Sequence, residues 1–153
     1  MDQQTVIPGP KHAQTLEGLL MKMAWVEYKR FGRELSNHHL TLSQFHALIA
    51  IQESQSGCTM SQLAELTNQV SATMTGVVDR LVERGWVKRR RNPDDRRTVL
   101  VQLTERGQTK LNAVYKAQEA SVGHCLANMD STSRHHLAYS LKQYLQTLEE
   151  ADS

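Results

Sequence analysis

The segment from Asp79 to Gly107 constrains the fold of this chain more than any other part of the sequence. It reads DRLVERGWVKRRRNPDDRRTVLVQLTERG. This order predicts the end of a helix, a stop at Gly85, a basic strand, a charged turn and a second strand. Side chains along residues 99–103 follow the period of two that is typical of a strand. The sequence therefore predicts a β-hairpin that directly follows a helix.

Positive charge is concentrated in this hairpin. Residues 88–97 hold six basic residues against Asp94 and Asp95, so six minus two gives +4. The whole chain has 18 Lys and Arg against 16 Asp and Glu, a net of +2, which leaves −2 for the remainder. A localised basic patch beside a helix indicates a surface that binds a polyanion. The alternative is a solvated charged turn, which is the usual fate of a charge run.

Composition indicates an ordinary soluble protein. The 153 residues are 39% hydrophobic and 22% charged, which predicts one domain or one compact unit with a lobe. The sequence lacks both an apolar run of ~18 to 20 residues and a basic start followed by an apolar stretch, so neither a membrane span nor a signal peptide is expected. Cys58 and Cys125 are far apart, which suits a reducing compartment. A cytoplasmic location and no membrane partner are therefore expected.

Helical periodicity predicts a series of helices around the hairpin. Residues 1–11 are expected to form a flexible arm. The predicted helices cover residues 12–35, 42–53, 59–66, 70–84, 105–129 and 131–150. Thr41 and Gln44 have the spacing of a capping box that opens the second helix. The start of the fourth helix is ambiguous, because Asn68 and Ser71 both qualify as its cap.

This order of elements predicts a mainly α (α+β) fold, a winged helix-turn-helix with N- and C-terminal dimerisation helices. The fourth helix is expected to enter the major groove of DNA, and the hairpin to lie against the backbone or the minor groove. Residues 40–107 are predicted to form the DNA-binding lobe, and residues 12–39 with 108–150 a dimerisation lobe. The terminal helices carry more apolar stripes than a monomer buries, so a second copy is expected to cover them.

The same segment resembles the MarR (multiple antibiotic resistance regulator) family. The family pattern is Asp-Arg-Leu at a helix end, Gly with an aromatic and a β-branched residue, Arg, Asp-x-Arg, and Leu-Thr-x-x-Gly. The matching residues here are Asp79-Arg80-Leu81, Gly85-Trp86-Val87, Arg89, Asp95-Arg96-Arg97 and Leu103-Thr104-Glu105-Arg106-Gly107. The likeness covers residues 40–108 well, and the terminal helices only in length and pattern.

The resemblance implies a homodimeric regulator, usually a repressor, that binds a pseudo-palindromic operator in double-stranded DNA. In such proteins a small ligand, often phenolic or otherwise amphipathic, or an oxidant releases the DNA. The residues predicted to bind DNA are Ser61, Ser71, Thr73, Thr75, Arg91, Asp95, Arg96 and Arg97.

The resemblance also gives some of these residues separate roles. Arg97 matches the wing-tip arginine that enters the minor groove, Asp95 holds the wing turn, and Asp79 pairs with a wing arginine and orients it. One of Arg89, Arg90 and Arg91 is also expected to pair with an acid such as Glu83.

Trp25, Tyr28 and His46 have two interpretations. They line an effector cavity between the two lobes, or they belong to the core and the dimer interface. Cys58 and Cys125 are expected to be buried structural thiols, because oxidant-sensing relatives carry their cysteine near the start of the first helix and this chain has none there.

Enzymatic and metal sites are not expected. The histidine pairs 38–39 and 135–136 lack an acidic or cysteine partner at ligand spacing, so no metal or cofactor is predicted. The sequence contains no nucleophile elbow, phosphate-binding loop or HExxH motif. The alternative to a DNA-binding regulator is a helical module that binds protein or RNA without reading a DNA sequence, and a duplex-binding assay separates the two.

Overall fold

The computed structural model of the chain describes residues 15–54, 56–93, 95 and 97–151. The described elements run in the order α1 (Leu16–Asn37), α2 (Leu42–Glu53), α3 (Met60–Leu66), α4 (Ser71–Glu83), β1 (Val87–Arg91), β2 (Val99–Leu103), α5 (Glu105–Ala127) and α6 (Ser131–Ala151). This mainly helical architecture with a two-stranded antiparallel sheet confirms the predicted fold class. The arm predicted over residues 1–11 lies outside the described residues.

Threonine side chains start the first three helices. Thr15 accepts a hydrogen bond from the backbone of Gly18, and thus caps α1. Thr41 and Gln44 form the predicted capping box of α2, with distances of 3.2 and 3.0 Å. Thr59 and Gln62 form a second capping box on α3. These local hydrogen bonds satisfy backbone N–H groups that a helix start leaves without partners.

α4 begins at Ser71, as predicted within one residue, but its cap differs from the two candidates. Its N-cap residue is Val70, which has no side-chain capping hydrogen bond. Neither Asn68 nor Ser71 takes the cap position. Asn68 instead adopts a left-handed backbone with φ of 49°, and this conformation suits asparagine because its short polar side chain tolerates it.

The chain divides into two compact units, residues 1–115 and 116–153. The core of the first unit is apolar. Its fully buried side chains include Leu35, Leu48, Leu63, Met74, Val78, Leu81, Val101, Leu111 and Val114. Phe45 adds an edge contact with Phe31, whose ring centroid is 4.9 Å away. This core fixes α2, α3, α4 and the hairpin against one another.

The second unit consists of the end of α5 and all of α6. Asp130 opens α6, because its Oδ1 accepts a hydrogen bond from the backbone of Ser133 at 3.0 Å. α6 has no buried residue. Its exposed apolar side chains include Tyr139, Tyr144, Leu145 and Leu148. Among the described residues, every helix is too short or too polar to cross a lipid bilayer.

Candidate nucleic-acid interface

A tight turn joins α3 to α4. The backbone of Asn68 donates to Glu65 O at 3.0 Å, and that of Gln69 donates to Ala64 O at 2.9 Å. Together with the left-handed conformation of Asn68, these bonds fix the turn and hence the direction in which α4 leaves it. The arrangement is a helix-turn-helix.

One face of α4 is buried and the other is exposed. Met74, Val78 and Leu81 lie in the core. Ser71, Thr73 and Thr75, the three recognition-helix residues predicted from the sequence, are all exposed. Thr75 Oγ1 donates to Ser71 O at 3.0 Å, so its hydroxyl hydrogen is used within the helix. The exposed side chains of Ser71, Thr73 and Thr75 are small, so this helix can approach base edges closely.

Ser61 lies next to this face. It is exposed at the start of α3, and it lines a shallow depression of about 500 Å³ together with Ser71 and Val70. The two serines predicted to bind DNA thus come from both helices of the helix-turn-helix and open onto the same surface.

The hairpin has two distinct faces. The register pairs Val87 with Leu103, Arg89 with Val101 and Arg91 with Val99 on one face, and Lys88 with Gln102 and Arg90 with Leu100 on the other. Side chains that are paired across antiparallel strands lie on the same side of the sheet. Since Val87 and Val101 are buried, the first face is the one that packs on the core. Arg91 lies at the far end of that face and is exposed.

An ion pair ties the hairpin to α4. Arg89 Nη2 lies 2.6 Å from Asp79 Oδ1, and both side chains are partly exposed. The predicted pairing of Asp79 with a wing arginine is therefore observed, and the arginine is Arg89; the suggested pairing of a hairpin arginine with Glu83 is not seen among the described ion pairs. Hydrogen bonds between charged partners are shorter and stronger than neutral ones. Arg89 thus holds the hairpin against α4. Three other basic side chains of the hairpin are exposed, those of Lys88, Arg90 and Arg91.

Asp95 organises the turn at the tip of the hairpin. Its Oδ1 accepts from the backbone of Arg97 at 3.0 Å, and its Oδ2 accepts from Thr98 Oγ1 at 2.7 Å. The Thr98 hydroxyl and the Arg97 backbone lower the pKa of this carboxyl, so it is ionised at neutral pH. Its observed contacts hold the turn, and they place the exposed Arg97 at the tip. Arg96, also predicted to bind DNA, lies outside the described residues.

A second set of contacts anchors the hairpin at its base. Cys58 exchanges backbone hydrogen bonds with Val101, at 3.1 and 2.8 Å. Gln102 Nε2 donates to Ser56 O at 2.7 Å. Cys58 is buried, and burial raises the pKa of its thiol, which disfavours the reactive thiolate. The prediction of a buried structural thiol is therefore met at Cys58, but it is wrong for Cys125, which is exposed.

The joint between α4 and the hairpin contains groups that sequence reasoning missed. The Arg84 guanidinium donates to His39 O and lies over the Trp86 ring, 5.0 Å from its centroid. Lys110 Nζ lies 5.3 Å from the same centroid. The contacts of Arg84 with His39 and of Lys110 with Trp86 join residues that are far apart in the sequence, so no local pattern indicates them.

The predicted effector residues are only partly grouped. Trp25 and Tyr28 stack on α1 with ring centroids 5.9 Å apart, and both are exposed. His46 is an exposed residue of α2 whose described ring contact is with Phe45. Tyr115, which was not predicted, also contacts Phe45, with centroids 6.1 Å apart. The assignment of Trp25, Tyr28 and His46 to an effector site remains a prediction.

Known proteins are similar to this chain in sequence and in fold. The MarR family model matches residues 40–99. The transcriptional repressor NicR of Pseudomonas putida is 27% identical over 135 residues, which are 88% of this chain and 85% of that protein. The multiple antibiotic resistance protein MarR of Salmonella typhimurium is 38% identical over 93 residues, 58% of this chain and 63% of that protein.

A solved structure extends the likeness to most of the chain. It is a mutant of S. aureus MepR bound to an oligodeoxyribonucleotide. It has a TM-score of 0.70 and 18% identity, and the match covers 86% of this chain and 97% of that one. At this identity the match establishes the fold alone. The family match, the sequence relatives and the helix-turn-helix with its basic hairpin lead to one conclusion: residues 40–99 of this chain form a domain of the MarR family of DNA-binding transcriptional regulators.

Proposed function

We propose that this protein is a repressor that binds a pseudo-palindromic operator as a homodimer in the cytoplasm and leaves it when a small amphipathic ligand binds. The observation that carries the proposal is the orientation of the hairpin. The Asp79–Arg89 ion pair fixes a basic hairpin to α4, the helix that exposes Ser71, Thr73 and Thr75. A helix of this kind fits the major groove while an arginine such as Arg97 enters the adjacent minor groove.

The exposed apolar side chains of the terminal helices support a homodimer. On α1, Leu16 is 74% exposed and Leu19 is 52% exposed. On α6, Leu145 is 57% exposed. Such surface is costly to leave in water, at about 25 cal/mol per Å², and a second copy removes it symmetrically. The two helix-turn-helix motifs of the dimer then read two half-sites that are about 34 Å apart.

The release mechanism follows from this spacing. A ligand that binds more tightly to the free dimer than to the DNA-bound dimer shifts the population towards the free form. A change of a few ångströms in the distance between the two α4 helices is enough to misalign one of them with its half-site. We assign the ligand to the aromatic surface around Trp25 and Tyr28, because their stacked rings offer an apolar face to an amphipathic molecule.

The proposal is tested by selecting duplexes from a random DNA pool with the purified full chain. We expect an enriched inverted repeat, bound by a species of about twice 17.4 kDa in light scattering. Binding of a matched RNA duplex serves as the control, since the deep, narrow major groove of A-form RNA excludes α4. A monomer at micromolar concentration, or enrichment of no sequence, contradicts the proposal. Preference for RNA favours the alternative of an RNA-interaction module.

A further inference from the structure

Val70 occupies a position where its side chain does not help the fold. It is the N-cap of α4, and it is 74% exposed. Serine, threonine, aspartate and asparagine are preferred at this position because their side chains bond the free N–H groups of the first turn. The three preceding helices all follow this rule with Thr15, Thr41 and Thr59. An apolar, β-branched side chain at the start of α4 therefore requires another explanation.

The position of Val70 is fixed by its neighbours. The backbone of Met74 donates to Val70 O at 3.1 Å, and the turn before it is held by the bonds of Asn68 and Gln69. A β-branched side chain also has few rotamers. Val70 thus projects a nearly rigid pair of methyl groups beside Ser61 and Ser71, with which it lines the depression at the proposed DNA surface.

The first turns of α4, which follow Val70, leave few means of reading bases by hydrogen bonds; the exposed amide of Asn68, which lines the same depression, belongs to the turn before the helix. The exposed residues of the first turns of α4 are Ser71, Ala72, Thr73, Thr75 and Gly76. None of them has the two parallel donors with which Arg recognises guanine. None has the amide of Asn or Gln, whose donor and acceptor recognise adenine. Gln69 has such a group, but its Oε1 is buried and has no hydrogen-bond partner among the described residues. In this conformation its amide does not present both atoms to an adenine.

An apolar side chain can instead recognise the C5 methyl group of thymine, which is the apolar group on a base edge in the major groove. We propose that Val70 is a specificity-determining residue that packs its methyl groups against a thymine methyl in each operator half-site. The inference rests on the proposed function, because it needs α4 in the major groove. Beyond the proposed function, the inference identifies thymine as a base that is recognised and Val70 as the residue that recognises it.

The test replaces thymines of the selected operator one at a time by uracil, which pairs as thymine does but lacks the methyl group. For the wild type, one position in each half-site is expected to lose affinity by about fourfold, the effect of removing one buried methyl-sized group. Val70→Ala and Val70→Ser are expected to bind the thymine and uracil operators equally. Val70→Ser is also expected to raise the Tm by about 2 to 4 °C, because it supplies the missing cap.

Leu66→Ala is the matched control. Leu66 is also apolar and 61% exposed, but it lines a different depression, with Ser54, Ser56 and Cys58. This variant should retain the fourfold discrimination of the wild type. Sensitivity to uracil that persists in both Val70 variants, or that is absent from the wild type although it binds the operator, overturns the role of Val70 and leaves the proposed function intact. Failure of the wild type to bind any DNA duplex overturns both.

Discussion

Gly107→Ala is expected to prevent stable folding, with a loss of about 4 kcal/mol or more in the free energy of unfolding. Gly107 is buried in the first turn of α5, where it meets the end of the hairpin. A Cβ atom at this position overlaps the Trp86 carbonyl oxygen and comes within 2.9 Å of Leu103 Cδ1. Because the obstacle is backbone, it cannot move aside without separating the hairpin from α5. Thr104 bridges the same joint, with its hydroxyl oxygen 2.8 Å from Gly85 O.

Gly76→Ala is the control for this prediction, and urea denaturation followed by circular dichroism measures both variants. Gly76 is exposed within α4, and a Cβ atom there meets nothing within 4 Å. This variant should therefore gain up to about 1 kcal/mol from the higher helix propensity of alanine. Equal unfolding midpoints for Gly107→Ala and the wild type would show that the backbone at Trp86 can move away from α5 at little cost in free energy.

A large loss of DNA affinity with rising salt is the second expectation. Lys88, Arg90, Arg91 and Arg97 of each hairpin are exposed, and a dimer carries two hairpins. Neutralising about 6 to 10 phosphates releases as many counterions, so the affinity should fall by about 10³ to 10⁵ between 50 and 200 mM salt. Fluorescence anisotropy with a labelled duplex of random sequence measures the slope. An affinity that stays constant over this range is incompatible with a basic hairpin on the DNA backbone.

Local signals predicted the helix-turn-helix and the hairpin well. The Thr41–Gln44 capping box and the period of two in residues 99–103 depend on neighbours in sequence, and both structures formed as expected. The start of α4 was predicted within one residue, but its cap was not, because the usual capping preference does not hold at Val70. Propensity describes what is favourable for folding, and the proposed contact of Val70 with DNA would account for the departure from it.

Contacts between distant segments could not be predicted in the same way. The partner of a hairpin arginine depends on how the hairpin packs on α4, so Asp79 and Glu83 were both plausible from the sequence alone. The contact of Arg84 with His39 joins residues 45 positions apart, and no periodicity indicates it. The roles of Trp25, Tyr28 and His46 depend on a ligand and a second copy of the chain, and they remain predictions.

The central claim is that the hairpin and α4 both contact DNA, and that they do so in different ways. Affinities of Arg97→Ala and Thr73→Ala for the selected operator and for random duplex, each across a salt series, test it most directly. Arg134→Ala, which removes the same charge from α6, is the control and should bind as the wild type does. All three variants change an exposed side chain, so folding should be unaffected.

Arg97→Ala is predicted to weaken binding to both duplexes and to reduce the salt slope, because the minor groove offers little sequence information and attracts arginine by its potential. Thr73→Ala is predicted to lose about 1 to 3 kcal/mol on the operator and little on random DNA, because each base pair has a distinct pattern in the major groove. If Arg97→Ala binds both duplexes as tightly as the wild type at every salt concentration, the hairpin does not contact DNA and the claim is wrong.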